Sequence, residues 1–327
     1  MELVSVDIGG THARFAIATI GADGSITLDE PETIHTQDHA SFQTAWEDFR
    51  DRKGGTLPPR VSMAIAGPVG GEVIRFTNNP WIIRPALIGE KLGCDSYCVV
   101  NDFEAVAHAV ARVSEDEFIH LTGPDEPLAP TGRLSVLGPG TGLGVAHLYR
   151  EPNGTYRVSA TEGGHIDFAP LDSIEDAILA RLRKRHTRVS VERVVSGPAI
   201  SDIYQTLAAM EGKAVAEEDD IDIWQRGQEG TDSLAAAAVD RFCLSLGSVA
   251  GDIALAQGGF GGVVIAGGLG YRIRHTLLES GFAERFRSKG RFQSLMASIP
   301  VKLITHPQPG LFGAAAAYAS EHGISEE

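Results

Sequence analysis

The sequence predicts an α/β fold organised as two domains, and three observations carry that prediction. Short apolar strands alternate with amphipathic helices along the chain, the pattern of a layered α/β protein. At 327 residues the chain exceeds one ordinary core; domains run to roughly 100–200 residues. A glycine-turn segment near the N-terminus also recurs in mid-chain. SVLGPGTGLGVAH (135–147) aligns without a gap on SVDIGGTHARFAI (5–17), matching at 5/135, 6/136, 10/140, 11/141 and 16/146.

Taken in order, LVSVDIGGTHARFAIATI reads as strand, glycine turn, strand, with Val4 and Val6 alternating before the turn and Phe15 and Ile17 after it. Gly-Ala-Asp-Gly at 21–24 makes a second turn, and SITLDEPETI supplies a third strand. Phe42, Ala45, Trp46 and Phe49 fit one face of a helix over 41–52. Strands follow at 60–66 and 97–100, and a helix at 103–113. The second half opens near Arg133 with the repeated strand–turn–strand. Helices are expected at 175–186, 199–210 and 232–257, strands at 261–268 and 299–305, and a closing helix at 311–322. These place a first domain at 1–110, joined by the closing segment 309–327, and a second at 111–308.

Lys+Arg 28 against Asp+Glu 43 leaves a net charge of −15. That field repels nucleic acid and anionic membrane surfaces, so neither is an expected partner. Three cysteines (Cys94, Cys98, Cys243) without a C-x-x-C pair fit neither a disulfide framework nor a structural zinc site. MELVSVDIGG lacks a basic secretory start, and no apolar stretch is expected to reach the ~20 residues that cross a bilayer. A cytoplasmic location is the plain expectation.

Asp7-Ile8-Gly9-Gly10-Thr11 lies where one strand turns into the next. Glycine there lets backbone amides approach an anion with no Cβ in the way. Thr11 adds a hydroxyl, and Asp7 is placed to hold Mg2+ through water. GPGTGLG (138–144), with Gly140 and Thr141, offers the same chemistry, so the two turns together could grip the terminal phosphates of a nucleotide. Either turn alone reads equally well as a tight glycine hairpin. A P-loop is absent, and in GPGTGLG the third glycine of a dinucleotide fingerprint falls on Leu143, with a strand following where a helix is needed. Gly267-Gly268 closes an apolar strand; it reads as bare backbone for an adenine or ribose, or as a turn ending a core strand.

Asn101-Asp102 follows an apolar strand and precedes a helix, the strand end where ligands of α/β proteins collect. Phosphoryl transfer needs positioning, charge neutralisation and a carboxylate to accept the hydroxyl proton. Asp102 suits that last task; a helix N-cap is the competing reading. Glu162 and His165 of EGGH, and Glu192, are residue types that bind sugar hydroxyls. EGGH is also half a metal site, but the chain places no further soft ligands nearby for zinc.

These motifs resemble the bacterial glucokinases of the hexokinase/actin-like ATPase superfamily, in order and nearly end to end. DIGGTHAR is similar to the family's D-x-G-G-T-N-x-R, FTNNPW to T-N-x-x-W, VVNDFEAVAHA to I-N-D-F-x-A, LGPGTGLGVA to G-x-G-T-G-L-G-x-A and EGGHIDFAP to E-G-G-H-x-D-F-A-P. ERVVSGPAI, GGFGGVVIAGG and HPQPGLFGAAA follow in the family's order. The resemblance implies two ribonuclease-H-like domains with a cleft between them, ATP and Mg2+ as cofactors, glucose as substrate, and a homodimer. It implies that Asp102 takes the proton of the glucose 6-hydroxyl, while Asn78, Asn101, Glu162, His165 and Glu192 hold the other hydroxyls. Asp7, Ile8, Gly9, Gly10, Thr11, Gly140 and Thr141 are implied at the phosphates and magnesium, and Gly267 and Gly268 beside the adenosine.

Two residues depart from the family pattern: His12 stands where Asn is usual, and Pro139, where Ala is usual, removes an amide from the second turn. A kinase for fructose, mannose or an N-acetylated sugar is the alternative within enzymes. A sugar-sensing regulator would need a DNA-binding segment and a basic face, and a non-catalytic actin-type scaffold would not need EGGH or Asn101-Asp102.

Overall fold

The computed structural model describes residues 1–76, 79–216 and 218–323. The chain divides into two compact units: Met1–Ser114 with Val158–Ala160 and His306–Glu327, and Glu115–Arg157 with Thr161–Thr305. A boundary at 110/111 would cut a helix that runs to Arg112, and the break falls just beyond it.

The first unit is built on β1 (Glu2–Ile8), β2 (His12–Ile20), β3 (Ile26–Leu28) and β4 (Glu32–His35). Where one strand was expected over SITLDEPETI there are two, both paired with β2. The break falls at Asp29-Glu30-Pro31, where Pro31 has no amide for a ladder and Asp29 turns its carboxylate back to accept the Ile17 amide at 2.7 Å. α1 (Phe42–Arg52) starts on a Ser41/Thr44 capping box and buries Phe42, Ala45, Trp46 and Phe49, the face its spacing predicts. Then come β5 (Arg60–Ile65), the short antiparallel pair β6 (Ile74–Arg75) and β7 (Ile82–Ile83), α2 (Ile88–Leu92), β8 (Ser96–Asn101) and α3 (Asp102–Arg112). The sheet order is β3-β2-β1-β5-β8. β1 runs antiparallel to β2 and parallel to β5, which is parallel to β8.

The second unit carries β9 (Phe118–Thr122), β10 (Gly132–Pro139), β11 (Leu143–Arg150) and β12 (Tyr156–Thr161), then α4 (Ser173–Leu182), α5 (Ala199–Met210), α6 (Asp220–Glu229) and α7 (Ser233–Gln257). β13 (Val263–Ile265), α8 (Gly267–Arg272), α9 (Arg274–Glu279), α10 (Phe282–Arg287), α11 (Gln293–Ala297) and β14 (Val301–Ile304) complete it. Its sheet order is β12-β11-β10-β13-β14-β9. α7 corrects one expectation, because by length and composition it could cross a membrane. Its apolar window is instead 72% buried inside the unit, packed in the core with residues such as Phe242, Leu246 and Val249.

The repeat seen in sequence is a repeat of topology. In each unit the strand before the glycine turn pairs antiparallel with the strand after it and parallel with a third, and a fourth lies parallel beyond. The ungapped alignment holds only on the first strand. Ser5 faces Ala16, whereas Ser135 faces His147 and Ala146 faces Val136. A slip of one residue puts each side chain on the opposite face, so the 16/146 match is not an equivalence. The turn causes the slip. The Gly9 amide donates to the His12 carbonyl at 2.9 Å and closes a two-residue loop. Pro139 has no amide for that bond; it ends β10 opposite Leu143, and the Gly140 amide closes the longer turn on the Gly142 carbonyl at 2.8 Å.

The closing helix α12 (Pro309–Glu321) belongs to the first unit. Its small residues let it lie directly on the sheet and on α3. The Ser5 and Ser62 hydroxyls donate to the Leu311 and Ala314 carbonyls, each at 2.6 Å. A Cβ on Gly313 would fall 1.7 Å from the Ala105 carbonyl oxygen, so only glycine permits this helix contact.

Candidate active site

In the first unit the candidate residues sit at the carboxyl ends of β1 and β8. Side chains alternate along β1, so Val4, Val6 and Ile8 join the core with α1 while Ser5 and Asp7 face α12. Ile8 is fully buried and its carbonyl accepts from the Ala66 amide at 3.0 Å, so it secures the turn from the core side. Asp7 pairs with Arg14, its cross-strand neighbour, at 3.3 Å. The uncapped N-terminus of α12 approaches the same carboxylate so closely that a Cβ on Gly310 would meet it at 2.8 Å. Burial nevertheless lifts the Asp7 carboxyl above its ordinary range, against the pull of Arg14.

Asn101 caps α3: its Oδ1 accepts from the Phe103 and Glu104 amides at 2.9 and 3.3 Å, and Glu104 completes a capping box. Its Nδ2 donates to the Gly67 carbonyl at 3.2 Å. The cap is therefore Asn101, and Asp102 is the first helical residue. Asp102 is freed from capping, with Oδ1 accepting from the Phe103 amide at 3.0 Å. Burial raises its carboxyl to about 6; the Phe103 amide opposes this and the Asp7 carboxylate adds to it. A carboxylate with a midpoint just below neutrality is a competent proton acceptor at neutral pH. Asn78 lies outside the described residues.

Gly9, Gly10 and Thr11 form the tip of the first hairpin. Among the described residues the amides of Gly10 and Thr11 have no hydrogen-bond partner, so both remain available as donors. His12 continues into β2, and its ring meets that of His35 across the β2–β4 pair, centroids 4.5 Å apart. Burial, then His35 and Arg14, hold the His12 imidazole below its ordinary value, so it is neutral at pH 7.

In the second unit Gly140, Thr141 and Gly142 form the matching tip. The Gly140 carbonyl accepts from the Gly197 amide at 2.7 Å, and Glu192 accepts from the Leu143 amide at 3.0 Å. A Cβ on Gly142 would fall 2.3 Å from the Glu192 carboxylate and would push that side chain aside. The EGGH glycines have a packing role: a Cβ on Gly164 would fall 2.1 Å from the Leu143 carbonyl oxygen. This close approach brings Glu162 and His165 to the hairpin, exposed at 75% and 56% and 3.7 Å from each other. Gly267 has φ of +86° and opens α8 against the Pro139 carbonyl, whereas the Cβ direction of Gly268 is open.

A polar pocket of about 190 Å³ in this unit is lined by His165, His186, Arg188, Ser190, Glu192 and Arg193. Sequence reasoning found His165 and Glu192 but missed His186, Arg188 and Arg193. Their signal was HTRVSVER (186–193), a basic run around Glu192 in an acidic chain. Among the described residues no cluster of three or more His, Cys, Asp or Glu forms a metal cage.

The glucokinase family model matches residues 4–321. A glucokinase of Zymomonas mobilis subsp. mobilis is 58% identical over 326 residues, covering 100% of both chains. The chain belongs to the glucokinase family. It is thus an α/β sugar kinase, a hexose phosphotransferase. Within the family, a glucokinase of Caulobacter vibrioides is 42% identical over 318 residues, covering 96% of this chain and 94% of that one. The solved glucokinase of an Antarctic psychrotroph superposes with a TM-score of 0.84 at 34% identity, covering 96% of this chain and 98% of that one.

Proposed function

We propose that this chain transfers the γ-phosphoryl group of ATP to the 6-hydroxyl of glucose, with Asp102 as the general base. The observation that carries the reading is Asp102 itself: a carboxylate raised to about 6 by burial, at a strand end, with the Asp7 carboxylate as neighbour. The Phe103 amide fixes Oδ1, and Oδ2 takes the hydroxyl proton as the oxygen attacks phosphorus. Asn101 orients this group through the α3 cap, and Asn78, Glu162, His165 and Glu192 hold the remaining hydroxyls. The Gly10 and Thr11 amides, with Gly140 and Thr141, receive phosphate oxygens, and Gly268 leaves room for the adenosine.

Mg2+ fits the chemistry of the first unit. The Asp7 carboxylate raises the cost of charge on Asp102, and oxygen donors with retained waters are what magnesium accepts. Asp7 would hold the ion through water, and the ion would neutralise phosphate charge. The matching strand orders support a duplicated ribonuclease-H-like fold, with the two compact units as its domains. The resemblance also supports a homodimer, which sedimentation tests.

The deciding experiment measures ADP release with glucose, fructose, mannose and N-acetylglucosamine. We expect kcat/KM for glucose to exceed the others by at least tenfold; equal values would replace the glucose reading with a broader hexose kinase. Loss of ~10²–10⁴ in turnover is expected for Asp102→Ala.

A further inference from the structure

We infer that Thr36 and Asn79 are positioning residues that aim the Gly10 and Thr11 amides at the nucleotide's terminal phosphates. The inference rests on the proposed function and extends it to residues remote in sequence from the phosphate turn. Both lie in the first unit, and both act on the turn's carbonyls. Asn79 Nδ2 donates to the Gly9 carbonyl at 3.3 Å. Thr36 Oγ1 donates to the Gly10 carbonyl at 3.0 Å, and the Thr36 amide donates to the Thr11 carbonyl at 3.0 Å. Three successive carbonyls of a glycine-rich loop are thus held from outside the hairpin.

Holding a carbonyl directs an amide. In a trans peptide the C=O of one residue and the N–H of the next point in opposite directions. No cis bond occurs among the described residues. Fixing the Gly9 carbonyl therefore turns the Gly10 amide the other way, and fixing the Gly10 carbonyl does the same for the Thr11 amide. These are the two amides with no partner of their own among the described residues. Two adjacent glycines would otherwise sample many peptide orientations.

Both anchors are rigid. Thr36 is 1% exposed and Asn79 6% exposed. Asn79 is locked at its other end, where Oδ1 accepts from the Trp81 amide at 2.9 Å. The Trp81 indole in turn donates to the His39 carbonyl at 2.9 Å. The second hairpin has a similar device built from different parts: the carbonyl of Gly140, the first residue of its turn as Gly10 is of the other, is held by the Gly197 amide. Two hairpins solving one problem independently point to a requirement of the turn.

Thr36→Val tests this with little change of shape, and Thr36→Ser restores the hydroxyl. Steady-state kinetics with varied ATP and varied glucose are paired with calorimetric titration of a non-hydrolysable ATP analogue with magnesium. Thr36→Val is expected to raise KM for ATP and Kd for the analogue about fivefold to tenfold, the worth of one hydrogen bond. KM for glucose stays within twofold, and Thr36→Ser returns to the wild-type values. Asn79→Asp, which keeps the acceptor for Trp81 but turns an oxygen toward the Gly9 carbonyl, moves Kd the same way. Wild-type affinity in Thr36→Val overturns the inference while leaving the proposed function standing. So does an equal loss for ATP and glucose that serine fails to rescue. A wild-type chain that binds no nucleotide overturns both.

Discussion

Replacing Asp102 with Asn should make the protein more stable while removing its base. A carboxyl whose midpoint moves from 3.8 to about 6 on folding sets about 3 kcal/mol against the ionised form, at about 1.4 kcal/mol per pH unit. The folded state holds this proton more tightly than the unfolded state. Wild-type stability from this group is therefore fully present below pH 3.8 and is lost as pH rises to about 6. Asn carries no charge at any of these pH values and still offers an acceptor to the Phe103 amide. Its advantage is thus largest above pH 6, up to about 3 kcal/mol, and disappears near pH 4. Unfolding midpoints at pH 8 and pH 4 measure it; a rise of roughly 5–10 °C is expected at pH 8. Turnover should fall ~10²–10⁴-fold in the same variant, and wild-type kcat/KM should decline about tenfold per pH unit below pH 6. An Asn variant no more stable than wild type at pH 8, or equally stabilised at pH 4, would refute the assignment of a strained, buried base.

Three further substitutions probe the scaffold of the site. Gly310→Ala drives a methyl to 2.8 Å from the Asp7 carboxylate, so a loss of about 1–3 kcal/mol in denaturant unfolding is expected, with weaker activity. Gly164→Ala meets the Leu143 carbonyl at 2.1 Å; it should displace Glu162 and His165 and raise KM for glucose more than KM for ATP. Ser135→Ala removes a buried hydroxyl with no hydrogen-bond partner among the described residues. With no partner lost there, it should be neutral or stabilising by about 1 kcal/mol in thermal unfolding.

Much of the scaffold was legible because it obeys local rules. Phe42, Ala45, Trp46 and Phe49 repeat at helical spacing, and α1 forms there; Val4, Val6 and Ile8 alternate, and β1 buries them on one face. Residues that depend on neighbours hundreds of positions away were hidden. Nothing near Gly310 or Gly313 announces the Asp7 carboxylate that crowds the first or the Ala105 carbonyl that forbids a side chain at the second. Thr36 and Asn79 are singled out by nothing in the sequence, because hydrogen bonds to backbone carbonyls leave no pattern there. The competing reading of Asp102 as a helix N-cap fell to its neighbour, because both residue types cap helices well and Asn101 is the one placed to do so. Pro139 removes an amide from its turn, as the sequence shows, but that the loss also lengthens the turn needed the strand register.

The place of α12 in the first unit also bears on how the protein is made. The helix lays Ala314, Ala315 and Tyr318 on Leu3, Ala64 and Cys98, residues of strands translated far earlier. At about 5–20 residues per second, on the order of 10–40 s of synthesis separates residue 114 from residue 306. During that interval the nascent first sheet has one apolar face without its cover, while residues 115–305 can already close their own core. The half of the enzyme that begins the chain is thus the last to be completed, and a stalled ribosome would leave exposed the face that backs the Asp7 turn.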